Sequence, residues 1–352
     1  MSELAITPRR AADDDELFRL YRAVFGEELA ESSRRRWRWQ YLDNPATAPD
    51  GPEIWVARDG GRLLGQYASM PVQLQWGDRE VRSSWGMDVF LSPAARGLGV
   101  GARLFTAWSD HVEVALGLGL TASSYGLFQK LRYADVGPVP FYYKILDARA
   151  VAARRLGPKW AGVAGRLLDT AWRIRHRERR RAGAEDELVL APVARFDARY
   201  DALWGRTGAS YAMCVRRDAA YLNWKYVECP HRRYDIVEAT RGGALAGFAV
   251  SRHEDHRGLR LGWIVDLFAH ADDHAGRDAL IGHVLHGFRR AGVARAQAFT
   301  MNAAVGAGLA ARGFRRGRSP MQFCVRARVP SDGVLAAPGR WHVMFGDSDM
   351  DR

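Results

Sequence analysis

Between residues 13 and 30 the chain reads DDDELFRLYRAVFGEELA, with Leu17, Leu20, Tyr21, Val24 and Phe25 at three- and four-residue spacings. That period predicts one apolar helical face behind an acidic first turn suited to the helix dipole. A tryptophan-rich helical stretch, RRRWRWQYLDNP, follows and is stopped at Asn44-Pro45, since the residue before a proline is pushed out of helical backbone. The period then falls to two. Residues 54–58 and 63–71 read as strands across the turn Asp59-Gly60-Gly61, and 72–76 and 81–91 continue an antiparallel pattern across Gly77-Asp78. After Ser92-Pro93 comes a glycine-rich run, Arg96-Gly97-Leu98-Gly99-Val100-Gly101, and then a predicted helix over 102–115 with Leu104, Phe105, Trp108 and Val112 on one face. A strand over 118–123, a short helix over 125–131 and a closing strand pair over 136–146 complete an α+β module on a largely antiparallel sheet.

The second half repeats the first. Trp39, Tyr41, Asp43 and Pro45 match Trp224, Tyr226, Glu228 and Pro230 at a constant offset of 185 residues. Beyond them, Gly60-Gly61 is echoed by Gly242-Gly243, Gly65 by Gly247, Asp88 by Asp266, and KLRYADVG by ARGFRRG. Matches in one order along the chain indicate duplication. The expected organisation is an N-terminal domain over 1–148, a basic helical linker over 149–192 ending in RIRHRERRRAGAEDE, a C-terminal domain over 193–330 and an acidic tail over 331–352.

Bulk properties narrow the classes. A chain of 352 residues with 47% hydrophobic and 26% charged content can bury two cores. No run of about 18 apolar residues occurs and residues 1–17 lack an apolar signal-peptide region, so the expectation is a cytoplasmic protein without a membrane span. Cys214, Cys229 and Cys324 are too scattered for a disulfide framework or a zinc site. His270, His274, His283 and His286 have helical spacing but no accompanying acidic ligand pattern, and no metal is expected. The net charge of +12 fits a polyanionic partner, although arginine enrichment runs along the whole chain.

The glycine run carries the chemistry. A Gly-rich turn between a strand and a helix lets backbone N–H groups approach phosphate oxygens, where the helix dipole favours negative charge. It is no Walker loop, because no Gly-Lys-Ser/Thr follows, and no βαβ unit precedes it. In this context the sequence resembles the GNAT superfamily of N-acetyltransferases, whose signature is [QR]-x-x-G-x-[GA], with Arg96, Gly99 and Gly101 at the three defining positions. The resemblance implies two GNAT-like modules, each a V-splayed mixed sheet flanked by helices. It implies that the amides of Arg96, Gly97, Leu98, Gly99, Val100 and Gly101 hold the pyrophosphate of acetyl-CoA or another acyl-CoA, and that strand residues Val89, Phe90 and Leu91 bond the pantetheine arm. The matching place in the second module carries Asp272 and Asp273, whose charge repels phosphate, so that module is expected to bind no CoA.

Attack on a thioester needs a neutral amine, hence a base, and the leaving thiolate gains from an acid. Asp88 is the first candidate base, with a structural carboxylate as the competing role because Asp266 keeps the same place. The family often has its acid at the position of Phe128, so Tyr125 and Ser124 stand as replacements. Trp37, Trp39 and Tyr41 fall where the resemblance puts the acceptor pocket, with core packing as the competing role. The function expected is transfer of an acetyl or other acyl group to a primary amine of a small molecule, such as an amino sugar or amino-acid derivative. Nucleic acid is not an expected partner. The alternatives are an aminoacyl-tRNA-dependent transferase of the peptidoglycan-bridge type and a non-catalytic CoA-binding sensor.

Overall fold

The computed structural model describes residues 4–156, 188–329 and 333–351, so most of the basic linker expectation lies outside the described residues. In chain order the elements are β1 (Leu4–Pro8), α1 (Asp14–Phe25), α2 (Glu27–Trp37), β2 (Ile54–Asp59), β3 (Arg62–Trp76), β4 (Arg79–Leu91), α3 (Val100–Ser109), β5 (Val114–Leu118), α4 (Ala122–Lys130), β6 (Ala134–Pro138), β7 (Phe141–Ile145) and α5 (Ala148–Leu156). The second half follows with β8 (Leu188–Pro192), α6 (Ala198–Thr207), β9 (Met213–Val215), α7 (Ala219–Leu222), β10 (Asp235–Arg241), β11 (Ala244–His256), β12 (Leu259–Ala269), α8 (His274–Arg290), β13 (Arg295–Phe299), α9 (Ala303–Ala311), β14 (Arg315–Gly317), β15 (Gln322–Ala327) and β16 (Trp341–His342).

Local chemistry moves several expected boundaries. Gly26, at φ 88°, breaks the predicted first helix into α1 and α2. The runs 63–71 and 72–76 are one long strand, because Pro71 sits inside β3 without ending it. The strand expected over 118–123 lies earlier, as β5 over 114–118, and takes in residues 114 and 115 from the expected helix. Ser83, Ser84 and Trp85 of β4 pair with Val114, Ala115 and Leu116 in parallel, and cross-strand pairing overrides helical period there. β1 carries no clear sequence signal and is held by antiparallel pairing to β2.

Two sheets result, each central to one module. One runs β1-β2-β3-β4-β5-β15-β6 and the other β14-β7-β13-β12-β11-β10-β8. The predicted closing pair over 136–146 does not pair with itself. β6 stays in the first sheet, whereas β7 crosses into the second between β13 and β14. In return β15, from the second half, inserts between β5 and β6. Each module is therefore completed by a strand from the other, and the largest core cluster runs through both, from Trp85 and Phe323 to Trp224 and Phe268.

The duplicated motif builds the junction. Arg38–Leu42 and Asn223–Val227 are both π-helical turns. They bring the two tryptophans together, with stacked rings 5.2 Å apart.

The candidate active site

β4 and β5 pair only over Ser83–Trp85, and beyond Trp85 the two strands diverge. A register shift against β3 between Gln66 and Ala68 bulges β4 at the same height. Asp88 sits in this bulge with φ 43°, a left-handed backbone that few non-glycine residues adopt. Its carboxylate accepts from Tyr41 Oη at 2.6 Å and Gln40 Nε2 at 3.0 Å, and its carbonyl accepts from Gln66 Nε2 at 3.2 Å. Three side chains thus fix a strained residue at the splay.

The splay opens into a cleft of about 580 Å³. Gly86, Met87, Asp88 and Val89 of β4, Leu118 and Gly119 at the end of β5, Thr121 capping α4, and Ser124 and Phe128 of α4 line it. Tyr21, Phe25 and Leu29 from α1 and α2, Arg36, Arg232 and the tail residues Asp349 and Met350 also line it.

At the glycine run the chain turns through two left-handed glycines, Gly97 (φ 78°) and Gly99 (φ 67°), directly into α3. The first backbone bond into this helix is Arg103 N–H to Gly99 O at 3.3 Å, so the N–H groups of Val100, Gly101 and Ala102 precede it and remain for a ligand. The first turn contains no acidic side chain. A β-carbon added at Gly101 would meet Leu91 and Leu127 no closer than 3.6 Å, an ordinary contact distance. An uncrowded, uncharged helix start next to a splayed strand fits a pyrophosphate followed by an extended arm.

The family match covers these elements. Residues 5–133 match the model of the acetyltransferase (GNAT) domain. These residues are a GNAT domain. A domain of this type works by acyl transfer from acyl-CoA to an amine.

Structural likeness extends the fold over the whole chain. A GCN5-related N-acetyltransferase from Anabaena variabilis ATCC 29413 superposes with a TM-score of 0.62 at 12% identity, covering 92% of this chain and 73% of its own. Eis1 from Mycobacterium abscessus does so with a TM-score of 0.56 at 16% identity, over 95% and 76%. A Saccharomyces cerevisiae N-myristoyltransferase with bound myristoyl-CoA gives 0.55 at 12% identity, over 92% and 83%. At these identities the likeness is one of fold. No curated protein matches the sequence significantly.

The second module has the GNAT domain's geometry with its openings filled. β12 and β13 pair over Leu261–Ile264 and then diverge, and β12 bulges against β11 between Val250 and Ser251. Here the C-terminal tail occupies the splay: Met344 bridges Thr300, and Met301 N–H donates to Val343 O at 3.0 Å. Asp266, the counterpart of Asp88, accepts from Tyr226 Oη at 3.0 Å just as Asp88 accepts from Tyr41. It is also clamped by Arg217, which pairs in addition with Asp347 of the tail at 2.8 Å, and all three are buried. At the start of α8, Asp273 accepts from Gly276 N–H at 2.9 Å and pairs with Arg241 at 3.0 Å. Burial pushes the Asp273 carboxyl up, but the bonds from Arg241 and Gly276 outweigh it and hold it below its ordinary range. A carboxylate of the chain itself therefore fills the second helix start.

The remaining sequence candidates separate. Asp88, Val89 and Ser124 line the cleft, whereas Tyr125 is not among its lining residues. The Tyr125 hydroxyl donates to Asp135 at 2.5 Å, and that bond raises its pKa to about 12. Ser124 Oγ lies 2.9 Å from Thr121 Oγ1, giving a hydroxyl pair on the cleft wall. Phe128 is buried against Gly117, Trp108 and Tyr133.

None of Trp37, Trp39 and Tyr41 lines the cleft. Trp37 packs on Phe18 and Tyr41, Trp39 on Trp224, and Tyr41 reaches the cleft only through Asp88. They build the junction instead. Among the described residues no group of three His, Cys, Asp or Glu side chains is placed to hold a metal. No described helix is long and apolar enough to cross a membrane. Arg232, Asp349 and Met350 escaped sequence reasoning, because only the packing of the second half against the first brings them to the cleft, and Arg36 carries no mark that separates it from its neighbours Arg34 and Arg35.

Proposed function

We propose that the chain transfers an acetyl group from acetyl-CoA to the primary amine of a small molecule, with all the chemistry in the N-terminal module. The contrast between the modules carries this reading: two copies of one fold, one with its splay and helix start open, the other with both filled by Met344 and Asp273. The residues present fit the cofactor. The N–H groups of Gly97, Gly99, Val100, Gly101 and Ala102 would hold the pyrophosphate, those of Arg96 and Leu98 being bonded to the Pro93 and Ala95 carbonyls at 3.3 Å, and the edge of β4 at Val89, Phe90 and Leu91 would bond the pantetheine arm. Bound there, acyl-CoA supplies the activated thioester.

The chain's own residues do the rest. Asp88, held by Tyr41 and Gln40, takes a proton from the incoming amine as the N–C bond forms and the C–S bond breaks. The hydroxyl pair of Thr121 and Ser124 lies on the cleft wall, where it would donate a hydrogen bond to the leaving thiolate while the thiolate takes its proton from solvent. Tyr125 is not assigned this role, since its proton is committed to Asp135. The second module, on this reading, binds no CoA and walls the cleft through Arg232 and the tail.

The deciding experiment is acetyl transfer from acetyl-CoA over a panel of amines, beside the melting temperature with and without acetyl-CoA. Turnover on at least one amine, lost in Gly99→Asp, supports the reading. A rise in melting temperature with no amine acylated instead favours a CoA-binding sensor. No effect of acetyl-CoA on either measurement rejects both.

A further inference from the structure

The acceptor end of the cleft has a distinct character. Arg36 is 7% exposed and lines the cleft. Its Nη1 donates to Ser32 Oγ at 2.9 Å, while its Nε–H, fully removed from solvent, has no hydrogen-bond partner among the described residues. An unbonded guanidinium N–H buried in this way is costly unless something completes it. Arg232, from the second module, lines the same cleft. Nearby, the His231 pKa is lowered to about 4, first by burial and then by the charges of Arg36, Arg232, Lys225 and Arg252. Arg36 and Arg232 therefore give this cleft two guanidinium groups.

Two further features share the cleft. Asp88 and Asp349 supply negative charge suited to an ammonium group. Phe25 and Leu29 are 42% and 54% exposed and, with Tyr21, give an apolar wall. Exposed apolar side chains grouped inside a cleft mark a surface that a ligand covers.

Resting on the acyltransferase reading above, we infer that the acceptor is an α-amino acid or a short peptide with a free carboxylate and an apolar side chain. Its amine faces Asp88, its carboxylate faces Arg36 and Arg232, and its side chain lies on Tyr21, Phe25 and Leu29. A guanidinium is the group best matched to a carboxylate, because its N–H fork meets both oxygens.

The test compares L-phenylalanine with 2-phenylethylamine, which differs by the carboxylate alone, as acceptors for the full-length chain with acetyl-CoA. The expected result is kcat/KM at least about tenfold higher for phenylalanine, the scale of a charge-assisted bond. In Arg36→Met that ratio falls towards one, and in Arg36→Lys it is partly kept. Acylation of phenylethylamine as fast as phenylalanine overturns the inference. So does acylation confined to amino sugars or polyamines, and either result leaves the acyltransferase reading standing. An equal loss on both acceptors in Arg36→Met also overturns it, marking Arg36 as an internal counter-charge to Asp349. If no amine is acylated at all, it is the parent reading that fails.

Discussion

Trp39 and Trp224 are bonded reciprocally: each indole N–H donates to the backbone carbonyl of the other residue, both at 2.7 Å, and the rings stack at an interplanar angle of 22°. The two positions lie 185 residues apart, the repeat offset itself. A reciprocal contact between equivalent residues is what a two-fold relation between modules requires.

This pair predicts the cost of separating the modules. Trp39→Phe keeps most of the ring but deletes one donor and leaves the Trp224 carbonyl short of a partner, for a loss of about 1–3 kcal/mol. Trp39→Ala also opens a cavity and should cost about 3–5 kcal/mol. Chemical denaturation should show a single transition shifted in both variants, because β7 and β15 tie each sheet to the other half. Two separate transitions would mean that the exchanged strands do not couple the modules.

The two helix starts predict opposite outcomes. Gly99→Asp places a β-carbon at φ 67° and a negative charge where phosphate would lie, and should abolish CoA binding by calorimetry. Asp273→Ala removes a helix cap and the partner of Arg241, so stability should fall by about 1 kcal/mol while CoA affinity stays the same. Loss of CoA binding in the Asp273 variant would reject the assignment of the cofactor to the first module.

Asp88 and Tyr41 predict a kinetic signature. Asp88→Asn should lower kcat by at least about a hundredfold without weakening CoA binding, the range expected for losing a general base. Tyr41→Phe, which deletes the 2.6 Å bond to the carboxylate, should lower kcat less. Full activity in Asp88→Asn would give Asp88 the structural role that Asp266 plays in the other module.

The buried ion pairs of the tail predict a stability dependence. Arg217 lies between Asp266 and Asp347, and all three side chains are at most 1% exposed. Removing one carboxylate leaves a buried charge under-compensated, so Asp347→Ala should cost about 3–5 kcal/mol. A variant as stable as the parent in urea would show that the tail does not brace the second splay.

His231 predicts the acid side of the pH profile. Its folded pKa is lowered to about 4 from 6.5, so between those values the unfolded chain binds the extra proton. Its contribution is therefore complete above pH 6.5 and is lost as pH falls towards 4. In His231→Gln the decline in melting temperature over that window should be shallower. An unchanged slope would mean that the ring is charged in the folded state.

Much of the first module was legible because its signals are local. The Arg96–Gly101 run needs only backbone freedom at Gly97 and Gly99 followed by an amphipathic helix, and the structure forms that turn and helix there. Asp88 stood out through its echo at Asp266, and it does line the cleft. Trp37, Trp39 and Tyr41 fit either an acceptor pocket or core packing by sequence, and in the structure their rings pack on each other and on Trp224. Sequence spacing cannot tell a ring that faces a ligand from one that faces another module.

The sequence by itself determined the duplication, the helix-start device and the difference in charge between its two copies, since each is carried by short motifs whose residues lie close together in the chain, the duplication by two such motifs 185 residues apart. Tertiary structure decided which strands complete which sheet, because β7 and β15 each pair with strands of the other half of the chain. It also decided the fate of the acidic tail. Met344 and Asp347 fill one splay, and Asp349 and Met350 reach the other. That path follows from the near-symmetry of two modules packed face to face, a relation that no local run of residues encodes.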